Sequence, residues 1–125
     1  MGSNYINRGE AISVNYTAAS TDLAPATFSV GDPVVLSSMP AVGLTDRTST
    51  STQSTLWTYG KYRLSVDATS ATFAPGDIIY FQPSATNDTH LTNSSSASGA
   101  IRWGYALESS GASGSAHTVE VLLGY

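Results

Sequence analysis

Cysteine is absent from the 125-residue sequence, so neither disulfides nor thiolate metal sites can stabilise the chain. Charge is scarce as well. Asp, Glu, Lys and Arg together make up 11% of the residues, against about 25% in an ordinary soluble domain. The cations are Arg8, Arg47, Lys61, Arg63 and Arg102, dispersed along a chain of net charge −4. Nucleic-acid binding draws on clustered cations that displace phosphate counterions, so no nucleic-acid partner is expected. No apolar run approaches the roughly 18 residues of a membrane-crossing helix, and no membrane partner is expected. The opening MGSNYINRGEAISV has no apolar signal core, which argues against a cleaved secretion signal.

Groups that could perform chemistry are also few. His90 and His117 lie in or beside polar loops with no Cys, Asp or Glu at metal-ligand spacing, and no metal or cofactor is expected. Gly60-Lys61 is followed by Tyr62 and has Thr55 where a phosphate-binding loop needs its first glycine. No G-x-S-x-G elbow is present. Asp32 and Asp77 occupy similar contexts and could in principle meet as a carboxylate pair. Each also has a turn to hold together, and the expectation is that the protein is not an enzyme.

Serine, threonine and asparagine take the place of the missing charge, and a short phrase occurs twice. TFSVGDPVVLSS runs from Thr27 and TFAPGDIIYFQP from Thr72. Aligned, Phe28 matches Phe73, Gly31 matches Gly76, Asp32 matches Asp77, Val34 matches Ile79 and Leu36 matches Phe81. Glycine supplies the positive φ of a tight turn, Asp bonds the free N–H groups of that turn, and a β-branched or aromatic run then starts a strand. Further on, PAVGLTD carries Gly43 between Val42 and Leu44, and IRWGYALES carries Gly104 between Trp103 and Tyr105. Two alternating segments follow. KYRLSVD turns Tyr62, Leu64 and Val66 to one side, and HTVEVLLGY does the same with Val119, Val121 and Leu123.

These features predict an all-β fold with little helix: a small β-barrel or sandwich built from two similar turn-strand halves, 28–66 and 73–123. A single domain is expected at this length, with an N-terminal arm and first strand over 1–16 and the β-barrel domain over 17–125. Thr45–Ser54, Ser84–Gly99 and Ser109–Ala116 read as long polar loops.

Two clues bear on function. PVVL and IIYF are apolar on both faces, and a strand of that kind must be covered on both sides. If Ile79 and Phe81 point inward, Ile78 and Tyr80 point outward, where a neighbouring subunit could cover them. Among the aromatics of STLWTYGKY and the Gly104 strand, Trp103 is assigned to the core. Trp57 stays open between core and interface, and with Tyr59 it could instead serve a carbohydrate-binding β-module.

The order N-Y-I-x-x-G-E-x-I-x-V, G-D-P-V-V, V-G-L-T-D, F-x-P-G-D-x-I-Y-F, W-G-Y-A-L-E and V-x-V-L-L, from Asn4 to Leu123, resembles the phage capsid cement proteins, small decoration proteins of tailed bacteriophages. The resemblance implies a β-barrel-like homotrimer with no catalytic residues. It would bind the outer surface of the mature head at threefold and quasi-threefold positions, its partner being the major capsid protein. It would be a virion component assembled in the bacterial host cytoplasm; a tail or baseplate component is the alternative within the virion. On that reading Tyr5, Ile6 and Arg8 anchor an N-terminal contact segment, and Trp57, Ile78 and Tyr80 belong to a capsid or subunit interface.

Overall fold

The computed structural model describes residues 11–15, 23–25, 27–48, 53–68, 71–83, 90–96, 99–112 and 114–124. These are all-β, with no helix among the described residues. The first five strands are β1 (Ala11–Asn15), β2 (Leu23–Ala24), β3 (Pro33–Leu36), β4 (Met39–Gly43) and β5 (Gln53–Trp57). The second five are β6 (Gly60–Asp67), β7 (Ile78–Phe81), β8 (Leu91–Thr92), β9 (Ile101–Ala106) and β10 (Ala116–Leu123). The first set forms an open sheet in the order β1-β5-β4-β3-β2, and the second closes into a barrel in the order β10-β6-β8-β7-β9. Pairing is antiparallel except where β8 closes the barrel alongside β6.

The duplicated phrase is one turn built twice. Asp32 N donates to Ser29 O (3.1 Å), and Ser29 N donates to Asp32 Oδ2 (2.9 Å). In the second copy Asp77 N donates to Ala74 O (3.1 Å), and Ala74 N donates to Asp77 Oδ2 (2.9 Å). Gly31 and Gly76 have φ of 90° and 93°, values a side-chain-bearing residue adopts only under strain. Asp77→Ala removes an exposed carboxylate bond and should cost about 1 kcal/mol, or about 4 °C in Tm. Asp77→Asn, whose Oδ1 can still accept, should lose less. Equal melting temperatures for the alanine variant and the parent would mean that the carboxylate does not hold the turn.

Pairing phases the repeat differently from the sequence comparison. Gly31 N donates to Gly43 O in the first copy, whereas Gly76 N donates to Ala106 O in the second. The counterpart of Gly43 is therefore Ala106, and Gly104 corresponds to Ala41, two residues from the alignment on glycine. Likewise the alternating strands β6 and β10 are not counterparts but neighbours, paired from Gly60↔Leu123 to Asp67↔Ala116. Since β5 pairs with β4 as β10 pairs with β9, and β1 pairs with β5 as β6 pairs with β10, the strands of one unit map onto the other in the order β1, β5, β4, β3 onto β6, β10, β9, β7. Alternation reports which face a residue takes and is silent about which strand lies beside it.

The fifth place in each unit is filled from a different point of the chain. In the sheet it is β2, ahead of β3, with Leu23 opposite Leu36; in the barrel it is β8, after β7, with Leu91 opposite Phe81. Both leucines are buried.

Two cores result. Leu23, Phe28, Val34, Ala41 and Leu56 form the smaller one on one face of the sheet. The larger fills the barrel with Val66, Phe73, Ile79, Phe81, Leu91, Val119, Val121 and Leu123, and it includes Val35 and Val42 from the opposite face of the sheet. Trp103 joins the two units. It is fully buried beside the irregularity between β7 and β9, and its indole N–H reaches Val34 O in β3 at 3.2 Å.

The polar loops hold more structure than their composition suggests. Arg47 is only 2% exposed. Its backbone exchanges hydrogen bonds with Phe28 (2.8 and 3.2 Å), and its Nη1 donates to Ser54 Oγ at 2.9 Å. The corresponding residue of the second unit is Ser110, also buried, which clamps Phe73 through its N–H and its Oγ, both at 3.0 Å. Within the other two stretches lie β8 and the first residue of β10.

Candidate docking surface

The outward side of the barrel carries a lateral row of side chains set by register: Lys61 on β6 beside Leu122 on β10, then Tyr105 on β9, then Ile78 on β7. Tyr80, two residues beyond Ile78, stands opposite Arg102. Leu122 is 38% exposed, while Tyr105, Ile78 and Tyr80 are half-buried. The Arg102 guanidinium lies over the Tyr105 ring, 5.3 Å from its centroid, and donates to the Tyr105 hydroxyl, so the cation is held against an aromatic face. Ile78 and Tyr80 also line a shallow depression of about 350 Å³ together with Gly76, Asp77, Asn93 and Ser95. Asn93 Nδ2 donates to Ala71 O at 3.0 Å, which leaves Oδ1 a buried acceptor without a donor.

Ion pairs border the row on its β6 side. Lys61 Nζ lies 3.7 Å from Glu120 Oε1, and Arg63 Nη1 lies 3.1 Å from Glu108 Oε1. Both pairs are exposed and add little stability, on the order of 0–1 kcal/mol each. Glu108 Oε1 also accepts the Glu120 N–H at 2.8 Å, tying the β9 end to β10. Nearby, burial and, to a lesser degree, the Tyr59 phenol push the Tyr62 hydroxyl above its ordinary pKa; it donates to Tyr59 O at 2.9 Å.

The residues singled out from the sequence distribute as follows. Ile78 and Tyr80 share the outward face of β7. Trp57 is half-buried against the larger core, and in the same segment Tyr59 is 49% exposed. Tyr5, Ile6 and Arg8 lie outside the described residues. Asp32 and Asp77 are occupied in their separate turns. His90 stacks on Phe81 with centroids 5.0 Å apart, and its Nδ1 lies 3.3 Å from Gln82 O. His117 Nε2 lies 3.4 Å from Ser115 Oγ. Among the described residues no three His, Cys, Asp or Glu side chains gather where they could hold a metal ion.

The sequence reading missed Leu122 and Tyr105 as surface residues, although a signal was present. Glu120 faces outward, so the alternation that turns Val121 and Leu123 inward turns Leu122 out.

A family description, phage cement protein, matches residues 6–123. The chain belongs to that family. No curated protein and no solved structure matches it. As a phage cement protein it is a component of the virion that associates with the phage capsid. An all-β architecture with a half-open apolar row and little charge suits a family whose members work against other protein, because hydroxyls and amides are cheaper to desolvate than ions.

Proposed function

We propose that the protein decorates the outer surface of the mature head of a tailed phage as a homotrimer, at threefold and quasi-threefold positions. There it bridges neighbouring subunits of the major capsid protein. The observation that carries this reading is family membership over almost the whole chain. The low charge and the apolar row outside the barrel support it.

The mechanism is mass action. A protein that binds only the expanded arrangement of the shell stabilises that arrangement, by about 2.7 kcal/mol per site at a free concentration of about 100 Kd. Three linked contacts engage together, so modest individual affinities suffice. The work is structural and calls for no catalytic group, and Asp32 and Asp77 serve their turns. Assembly takes place in the host cytoplasm, where heads mature.

Within the N-terminal segment Asn4–Tyr16, Ala11–Asn15 is β1 and pairs with β5, so the part ahead of it supplies much of the capsid contact, with Tyr5, Ile6 and Arg8 as anchors, in the manner of an extended arm adding to a sheet edge. Expanded heads incubated with purified protein and imaged by cryo-electron microscopy should show density in threefold sets. Deleting residues 2–9 should lower occupancy by about 100-fold, the scale of losing a few anchor side chains, and leave the oligomer intact. Full occupancy by the deleted protein would remove the arm from the interface. Bare heads, with the protein found on the tail or baseplate of whole virions instead, would remove the head from the proposal.

A further inference from the structure

We propose that the shallow depression between the second G-D turn and the segment after β8 is a binding site for a neutral saccharide ring. Gly76 and Asp77 of the turn, Ile78 and Tyr80 of β7, and Asn93 and Ser95 beyond β8 line a space of about 350 Å³. That volume falls within the range of small-ligand sites, roughly 300–1,000 Å³. Such a site would stand whether or not the protein also docks on a capsid.

The lining offers hydrogen-bond acceptors beside an apolar wall, with no Lys or Arg in it among the described residues. Asp77 uses Oδ2 for the Ala74 N–H, and its Oδ1 takes no hydrogen bond from any described residue. Asn93 is held in one orientation by its bond to Ala71 O, and its Oδ1 is a buried acceptor that lacks a donor, which costs stability until one arrives. The ligand must therefore bring the donors. An anion would be repelled by Asp77 and would meet no cation. A metal ion asks for several converging oxygens, mostly charged, and Asp77 is the single carboxylate in the lining. Neighbouring ring hydroxyls supply donors without charge, and the C–H face of the same ring can lie on Ile78 and the half-buried Tyr80.

The repeat shows which of these groups the fold itself requires. Gly31 and Asp32 build the same turn as Gly76 and Asp77. Tyr80 stands opposite Thr92 as Val35 stands opposite Ala24, so Val35 and Pro25 occupy the places of Tyr80 and Asn93. In the first unit those two places are apolar, and Val35 is buried in the larger core. The aromatic ring and the amide are thus additions of the second unit that its architecture does not demand, set beside a carboxylate with a free oxygen. The far wall is ordered in advance. Ser94 N donates to Thr92 Oγ1 at 3.1 Å, and Ser94 Oγ lies 3.0 Å from Ser96 Oγ, so little further ordering is needed on binding.

The test is a titration of the isotopically labelled full-length chain with glucose, galactose, mannose and N-acetylglucosamine, read from amide NMR shifts. At least one sugar should saturably move the amides of Gly76–Tyr80 and Asn93–Ser96, with a Kd on the order of 1 mM, in keeping with an open site. Tyr80→Val, which installs the residue of the first unit, should raise that Kd by about 10-fold or more. Asp77→Asn, which can keep the turn but replaces the free acceptor with a donor, is the second variant and should also weaken binding. Circular dichroism establishes that each is folded. Tyr59→Val, at an exposed tyrosine ahead of β6 and at the end remote from the pairing of β6 with β8, should bind as the parent does.

No saturable shift with any of the sugars up to about 50 mM, well above such a Kd, would overturn the proposal. So would shifts confined to other parts of the chain, or unchanged affinity in a folded Tyr80→Val or Asp77→Asn. Equal shifts from sorbitol, an open-chain polyol, would mean that no ring is recognised and would overturn it as well. Calcium chloride, butylammonium chloride and inorganic phosphate are titrated in parallel. Saturation of the same amides by one of these, and by none of the sugars, would give the depression to an ion instead.

Discussion

Adding one methyl group at position 104 should bring the protein close to unfolding. A Cβ built on Gly104 falls 2.1 Å from Leu122 O, 3.1 Å from Leu122 C and 3.3 Å from Leu123 Cα. All three are backbone atoms of β10, the strand that also pairs along its full length with β6. No rotamer change relieves such a clash. β10 must move away from β9, and in a closed barrel that movement is passed to its other neighbour. Overpacking of a core side chain typically costs about 1–3 kcal/mol. A backbone clash in a closed ring belongs above that range, at about 4 kcal/mol or more, out of a total stability of about 5–15 kcal/mol for a domain of this kind. Urea unfolding of Gly104→Ala measures it.

Gly43→Ala is the informative comparison. There the added carbon meets Phe28 ring atoms at 2.6 and 2.7 Å and Ser29 O at 3.2 Å. A ring can tilt, so the loss should stay within about 1–3 kcal/mol. If Gly104→Ala unfolds within 1 kcal/mol of the parent, the close approach of β9 to β10 is wrong.

Trp103→Ala should cost about 3–5 kcal/mol, the range for removing a fully buried large aromatic side chain, and should do so unevenly. The indole sits between the two units and donates to Val34 O. Its removal opens a cavity at their junction and leaves an acceptor short of one partner. The barrel retains its closed ring of strands, whereas the sheet loses part of what covers Val35 and Val42. Hydrogen exchange should therefore accelerate most at amides of β3 and β4 and least along the β6–β10 pair, a sub-global opening rather than a uniform one. Trp103→Phe keeps part of the volume and loses the hydrogen bond, so it should fall between parent and alanine variant. Equal acceleration in both units would place Trp103 in the barrel interior alone.

The turns were legible in the sequence because everything they require is local. A positive φ calls for glycine, and the free N–H of Ser29 or Ala74 calls for the carboxylate three residues on, so G-D after Phe announces Gly31-Asp32 and Gly76-Asp77 directly. The facing of Tyr62, Leu64 and Val66 against Val119, Val121 and Leu123 was legible for the same reason, since alternation is a property of neighbouring residues. Partnership was not. KYRLSVD and HTVEVLLGY look alike because both are half-buried strands, and likeness suggested counterparts where pairing makes them neighbours. Arg47 was misjudged as one more loop cation. Nothing within TDRTSTSTQS indicates that Phe28, far back in the chain, exchanges backbone hydrogen bonds with Arg47 and that Ser54 receives its guanidinium. That Trp57 packs, half-buried, against the larger core becomes visible only once Val42 is seen to stand beside it.

The two-residue strands β2 and β8 occupy the same slot and reach it by different routes, one arriving before its neighbour in the chain and one after. What the slot demands is a leucine and a pair of backbone partners, not a particular order of connection. Tolerance to rewiring is thereby concentrated at one corner of each unit. Foreign peptides grafted into the connections that serve this corner should be carried by the scaffold more readily than any spliced between β6 and β10, which suits such a protein to bearing cargo on a shell.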